Sequence, residues 1–229
     1  MKKKVVLTVI FGALVSALTG CDMLLRSFKK YDCRCAEVPS PKTSGDFVAA
    51  SRYHFNAREY ECAYTAAEAA LRLKKDNANA LNARAMAHYG FEEYAAALTD
   101  FQTSVWLDPK NPETFYGRSA VYEKRNELEN ALKDFDRAIE LAKDSQDFRP
   151  QVPSWTNQRG ILRLKTGATA GALEDFSLAI AMQPDNRFYY DDRAKLYRQT
   201  GKISEAERDE RKSAELKIAD EQKNAAQKN

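Results

Sequence analysis

The sequence predicts an all-α solenoid of antiparallel helix pairs, and three recurrences predict it. The pentapeptide Ala-Leu-x-Asp-Phe occurs three times, as Ala97 to Phe101, Ala131 to Phe135 and Ala172 to Phe176, at intervals of 34 and 41 residues. Upstream, Arg84, Arg118, Arg159 and Arg193 stand 34, 41 and 34 residues apart, so both series place one seven-residue insertion between the same two units. Small residues keep the same register: Ala85, Ser119, Gly160 and Ala194 in one line, Ala97, Ala131, Ala172 and Ala206 in another. A fixed period of this size marks a stack of supersecondary units, each burying its apolar face only against its neighbours.

The chain opens on Lys2, Lys3 and Lys4, followed by the 14-residue apolar run VVLTVIFGALVSAL. As a helix that run is about 21 Å long, short of the roughly 30 Å hydrocarbon core, so it reads as a processing signal rather than a permanent span. Leu18, Thr19, Gly20 and Cys21 close it. These four residues resemble the signal motif of bacterial lipoproteins. The resemblance implies cleavage after Gly20, with residues 1–20 as signal peptide, and lipidation of Cys21 with palmitate-type acyl chains. More than one acyl chain anchors a protein stably without a transmembrane helix. The implied location is the bacterial cell membrane, lipid-anchored on the periplasmic side. Asp22 directly after the cysteine favours the inner membrane in enterobacteria-like systems, the outer membrane being the alternative. An ordinary secretory signal with an incidental Cys21 is the bland reading.

Residues 21–43 read as the lipidated N-terminus and a tether. Met23, Leu24, Leu25 and Phe28 interleave with Arg26, Lys29 and Lys30, which suits a short helix against headgroups. Pro39, Pro41 and Gly45 then mark a linker running into the first helix. Three of the 36 basic residues lie before the cut and no acid does, leaving 33 bases against 33 acids. That balance provides no field for nucleic acid, and none is expected as a partner. Cys33 and Cys35 are one residue apart and do not easily close on each other; Cys62 is alone in its stretch. Export permits a disulfide, a metal site needs about two further ligands, and the redox state of the three stays open.

The recurrences, extended over residues 44–220, resemble the tetratricopeptide repeat, a family of 34-residue helical hairpins. The frames are 44–77, 78–111, 112–145, 153–186 and 187–220, with 221–229 as a polar C-terminal tail. In the family, small residues stand at repeat positions 8, 20 and 27, where two backbones approach closely. Here Ala85, Ala97 and Ser104 fill them in one frame, followed by Ser119, Ala131 and Ala138, then Gly160, Ala172 and Ala179, then Ala194, Ala206 and Ser213. Phe101, Phe135 and Phe176 are expected to fill the wider gaps. Pro109 and Pro184 match the family's turn, and Asn111 before Pro112 reads as an N-cap followed by an N1 proline. The first frame departs with Ala67 at the aromatic position and the last with Glu210. The inserted residues 146–152 are expected to form an exposed loop presenting Phe148 and Arg149, unless it is inert. The densely charged end suits a terminal cap.

Nothing in the sequence points to catalysis. There is no Gly-rich phosphate loop, His-Glu-x-x-His or nucleophile elbow, and no cofactor or metal is expected. His54 and His88, 34 apart, both fall at position 11, where Tyr122 and Tyr197 stand in later frames and Arg163 breaks the series; packing accounts for them. Each position-7 Arg is expected to pair with the position-23 Asp of its own repeat, because the first frame has Ala50 and Ala66 there and lacks both.

What remains is binding. By resemblance, positions 2, 5, 9, 12 and 13 line a concave groove. They include Asn82 and Tyr89; Tyr116, Glu123 and Lys124; Asn157, Leu164 and Lys165; and Asp191, Lys195 and Arg198. Amides, aromatics and both charges suit a protein or peptide partner more than a small apolar ligand, although many of these side chains could simply be solvated. The expected function is a lipid-anchored scaffold or adaptor. The rivals are a structural or oligomerising envelope lipoprotein and a non-catalytic accessory delivering substrate to a separate hydrolase.

Overall fold

A computed structural model describes residues 42–226, which form ten α-helices in five consecutive hairpins. They are α1 (Ser44–Asn56) with α2 (Tyr60–Leu73), α3 (Ala78–Gly90) with α4 (Tyr94–Leu107), α5 (Pro112–Lys124) with α6 (Leu128–Lys143), α7 (Val152–Lys165) with α8 (Thr169–Met182), and α9 (Arg187–Gln199) with α10 (Ile203–Ala226). First helices begin at the expected frame starts, except that α7 starts one residue early. Local chemistry sets those starts. Thr43 and Asp46 form a reciprocal capping box on α1, and the Asn77, Asn111 and Asn186 side chains accept a backbone N–H at the starts of α3, α5 and α9.

One turn joins the two helices of every hairpin. The N–H of repeat position 16 donates to the carbonyl of position 11 in all five, as Glu59 to His54, Glu93 to His88, Glu127 to Tyr122, Ala168 to Arg163 and Lys202 to Tyr197, at 2.8–2.9 Å. This bond closes a Schellman motif, which requires a left-handed residue just before its donor. Gly167 and Gly201 supply it in the last two repeats, whereas Arg58, Glu92 and Asn126 adopt φ of 63°, 61° and 61° in the first three. A Cβ in that conformation costs about 1 kcal/mol or more. Glu92→Gly is therefore expected to raise stability by about 1 kcal/mol, net of the glycine's extra freedom when unfolded. Chemical denaturation measures this, and an unchanged midpoint would mean that the turn carries no strain.

The hairpins pack through a repeated aromatic plug. Phe101 is buried with Ala85, Ala97 and Val121, Phe135 with Ala131 and Leu162, and Phe176 with Ala172 and Leu196. The aliphatic member, at position 10, always belongs to the following repeat. Both sequence departures fit this rule. Among the described residues no hairpin follows α10, and at the aromatic position there Glu210 instead takes a bidentate bond from Arg198 at 2.6 Å. In the first interface the same two register places are held by Ala67 and Ala87, both fully buried. Tyr53, at position 10 of the first repeat, has no preceding plug among the described residues and is 62% exposed.

The arginine series pairs as expected, within each repeat. Nε and Nη2 of Arg84, Arg118, Arg159 and Arg193 donate to both carboxylate oxygens of Asp100, Asp134, Asp175 and Asp209 at 2.5–3.0 Å. The sequence did not reveal that three of these arginines also use Nη1 to reach back one repeat. Arg84 donates to Glu68, Arg159 to Asp136 and Arg193 to the Ser177 hydroxyl, all at position 25 of the preceding unit. Hydrogen bonds to Asp100 first, opposed by burial, hold the Arg84 guanidinium pKa above its ordinary value. At Arg159 burial is the largest influence and opposes the charge, but Asp175 and Asp136 outweigh it.

Two expectations need revision. The insertion is not a free loop displaying Phe148: that ring is half-buried and packs on Trp155 at 6.3 Å, and Arg149–Gln151 form a 3₁₀ turn leading into α7. Burial of apolar area draws the ring inward, while Arg149 stays exposed and bonds the Lys143 carbonyl. At the C-terminus α10 continues through residues 221–226, so much of the expected tail is helix.

Candidate protein-binding face

The first helices α1, α3, α5, α7 and α9 supply one continuous face, joined by polar bridges between repeats. Arg52 of α1 pairs with Glu113 of α5, and Asn111 donates to Asn79 at 2.9 Å. Glu123 pairs with Lys165 across α5 and α7. The Asn157 amide donates to Asp192 of α9 at 2.9 Å. These bridges arise because residues at one repeat position come into line when hairpins stack, which is how the sequence period becomes a surface.

The residues selected from the sequence fall into three groups. Asn82 and Asn157 are almost fully buried, at 2% and 6% exposed, and no donor among the described residues reaches either side-chain oxygen. Tyr89, Tyr116 and Leu164 are half-buried. Tyr116 stacks on Trp155 at 4.8 Å and 11°, meets Phe135 edge-on, and donates its hydroxyl to Gln158 at 3.1 Å. Burial pushes the phenol pKa of both Tyr116 and Tyr89 upward. Leu164 packs beside the Phe176 plug, and Tyr89 leans against Tyr94 at 6.1 Å. Lys124, Lys165, Lys195 and Arg198 are exposed, while Glu123 and Asp191 are partly so. Lys195 pairs with Asp192, Asp191 with Arg187, and Arg198 with Glu210 of its own hairpin. Cys21 lies outside the described residues, as does the tether helix expected against headgroups.

Tyr116 thus contributes to packing between repeats as well as to the surface, which its place in the register did not reveal. Trp155 and Gln158 are the missed partners. Both sit in the first turns of α7, directly after the insertion, where Trp155 at position 3 has Ala80 and Thr114 as counterparts. Trp106 was also passed over; it stands 80% exposed on the outer side of α4.

The histidines serve the hairpin turns. His54 is 3% exposed and its Nδ1 lies 2.6 Å from Glu59; His88 Nδ1 lies 2.7 Å from Glu93. His54, Glu59 and Cys62 bring a nitrogen, an oxygen and a sulfur within 4.8 Å of one another. The Cys62 sulfur is engaged in a disulfide, so it is not a thiolate ligand in this state. An open depression of about 550 Å³ at the turns is lined by Glu92, Glu93, Tyr94, Ala95, Ala96 and Arg125, none of them among the selected residues. Among the described residues no helix is long and apolar enough to cross a membrane.

No known protein family and no curated protein matches the chain in sequence. Its backbone does match solved structures. PilF of Pseudomonas aeruginosa superposes with a TM-score of 0.68 at 15% identity, covering 76% of each chain. MamA from Desulfovibrio magneticus superposes at 0.64 with 17% identity, covering 78% of this chain and 97% of that one. YrrB, described as a TPR protein with an unusual peptide-binding site, superposes at 0.57 with 19% identity over 80% and 91%. The chain has the tetratricopeptide-repeat fold. Identities this low carry the fold alone, and five hairpins of this fold present an extended face suited to holding another polypeptide.

Proposed function

We propose that the protein is a membrane-anchored scaffold or adaptor that holds a protein or peptide segment against the first-helix face, with Cys21 as the lipidated anchor on the periplasmic side. The observation that carries the binding half is the first-helix face itself, where half-buried Tyr89 and Tyr116 lie beside exposed Lys124 and Lys195. Partly exposed aromatic rings give a docked polypeptide apolar area to bury, which is the usual composition of a protein-binding surface. The rim of Lys124, Lys195 and Glu123 offers both charges for orienting it. The peptide-binding site named for YrrB accords with this use of the fold. The anchoring half rests on the lysine cluster, the short apolar run and the Leu18 to Cys21 motif.

The two halves are tested separately. A photo-crosslinking residue placed at Lys124 or Lys195 is expected to capture a partner in native membranes, whereas the same residue at Arg137 or Lys212, on exposed outer positions, is not. Equal capture from both sides would remove the groove reading. Cys21→Ala is expected to abolish incorporation of labelled palmitate and release the protein from membranes. Continued labelling would locate the acyl chain elsewhere.

A further inference from the structure

The outer stripe of the second helix is exposed in four repeats and covered in one. Its repeat positions 22 and 26 are Thr99 and Thr103 in α4, Lys133 and Arg137 in α6, Glu174 and Leu178 in α8, and Arg208 and Lys212 in α10, and all eight are exposed. In α2 the same positions are Thr65 and Ala69, and they are only 5% and 8% exposed. One turn earlier on that stripe stands Cys62, half-buried and disulfide-bonded. Residues spaced by three and then four share one helix face, so a single covering segment accounts for all three observations. The chain has four cysteines, and the other three, Cys21, Cys33 and Cys35, all precede residue 42.

We propose that residues 33–41 of the chain's own N-terminal segment dock along this stripe of α2, stapled by a disulfide from Cys62 to Cys33 or Cys35. The path is short enough. Ser44 donates its hydroxyl to the Ala70 carbonyl at 2.9 Å, so the chain enters α1 beside the Ala69 end of the stripe. From Ala70 back to Cys62 is about 12 Å along the helix. The nine residues from Cys35 to Ser44 can span about 30 Å when extended. Passing that way, the segment meets Ala69, Thr65 and Cys62 in order. Its Ala36, Val38, Pro39 and Pro41 are apolar or small, matching an uncharged stripe where the other repeats from α6 onward carry charge. Forming the bond removes two protons and two electrons from the two thiols, which a protein disulfide donor takes up as it becomes a dithiol. That oxidant belongs to exported compartments. The assignment of Cys21 away from this bond rests on the lipid-anchor reading, since a thioether leaves no thiol there. The staple sends the tether off the outer side of the first hairpin and leaves the first-helix face open.

Trypsin reads the linkage directly, because Arg34 separates the two candidate cysteines. Protein purified from an oxidising compartment is alkylated without reductant, digested and weighed. The expected species joins residues 59–72 to 31–34 or to 35–42 and splits on reduction. Alkylated Cys62, or a link between two copies of 59–72, overturns the staple; if Cys21 still carries fatty acid, the anchor reading survives that failure. A link to Cys21 overturns both. Docking is read by hydrogen exchange, with residues 36–41 expected to exchange roughly tenfold or more slowly than the free peptide. Exchange at the free-peptide rate overturns it.

Discussion

Replacing Phe176 by Ala is expected to destabilise the protein by about 3–5 kcal/mol, the range for removing a large buried aromatic. The ring is fully buried and joins Ala172 of its own hairpin to Leu196 of the next, with Ile161, Leu164 and Leu173 closing around it. It also lies so near Gly160 that a Cβ added there would come within 2.8 Å of the ring. Those backbones are already at close approach, so they have little room to collapse onto a smaller side chain. The damage should be directional: the plug belongs to the α8–α9 interface, and a solenoid's stability is nearly a sum over neighbouring interfaces. Guanidinium denaturation should show α9 and α10 lost before the first three hairpins, which hydrogen exchange can localise. A loss below about 1 kcal/mol would mean that the gap is refilled by neighbours and that the plug is not what joins these repeats.

The plug also shows how far the sequence could be read. Ala-Leu-x-Asp-Phe fixes the period, and the period fixes the helix starts, the plugs and the Arg–Asp register, because each depends on residues at constant spacing. Position 15 was less legible: Gly167, Gly201 and Asn126 are residue types that favour a left-handed turn, but Arg58 and Glu92 adopt it without any signal in their identity. What failed was contact across the insertion. The register says that Tyr116 and Asn157 are equivalent, yet one stacks on Trp155 and the other is buried against Asp192. Seven extra residues change which side chains meet there, and Phe148 turns inward to join the aromatic group. The groove residues were legible as a set of positions. Their individual burial was not, since it depends on neighbours one repeat away.

Arg118→Ala is expected to cost about 3 kcal/mol, and so is Asp134→Ala, with the double variant costing far less than the sum. This pair suits the test because it is the simplest of the four. Arg84, Arg159 and Arg193 each have a second acceptor in the preceding repeat, whereas Gln102 occupies that place before Arg118 and accepts no bond from it among the described residues. Asp175 likewise has a second donor in Arg163 at 2.9 Å, which would hold its charge if Arg159 were removed. Asp134 has no such substitute among the described residues, and its side chain is 8% exposed against 13% for Arg118. Truncating either partner leaves the other charge poorly solvated, and that penalty dominates the single losses. Removing both takes the penalty away, so the coupling energy should be about 1–3 kcal/mol. Additive losses would instead describe two independently solvated charges of the surface kind, worth at most about 1 kcal/mol together. The comparison carries a second step. Arg118→Lys keeps the charge but cannot present two parallel N–H groups to one carboxylate. If it recovers most of the loss, charge alone stabilises the hairpin; if it does not, the fork geometry that locks α5 against α6 is the stabilising feature.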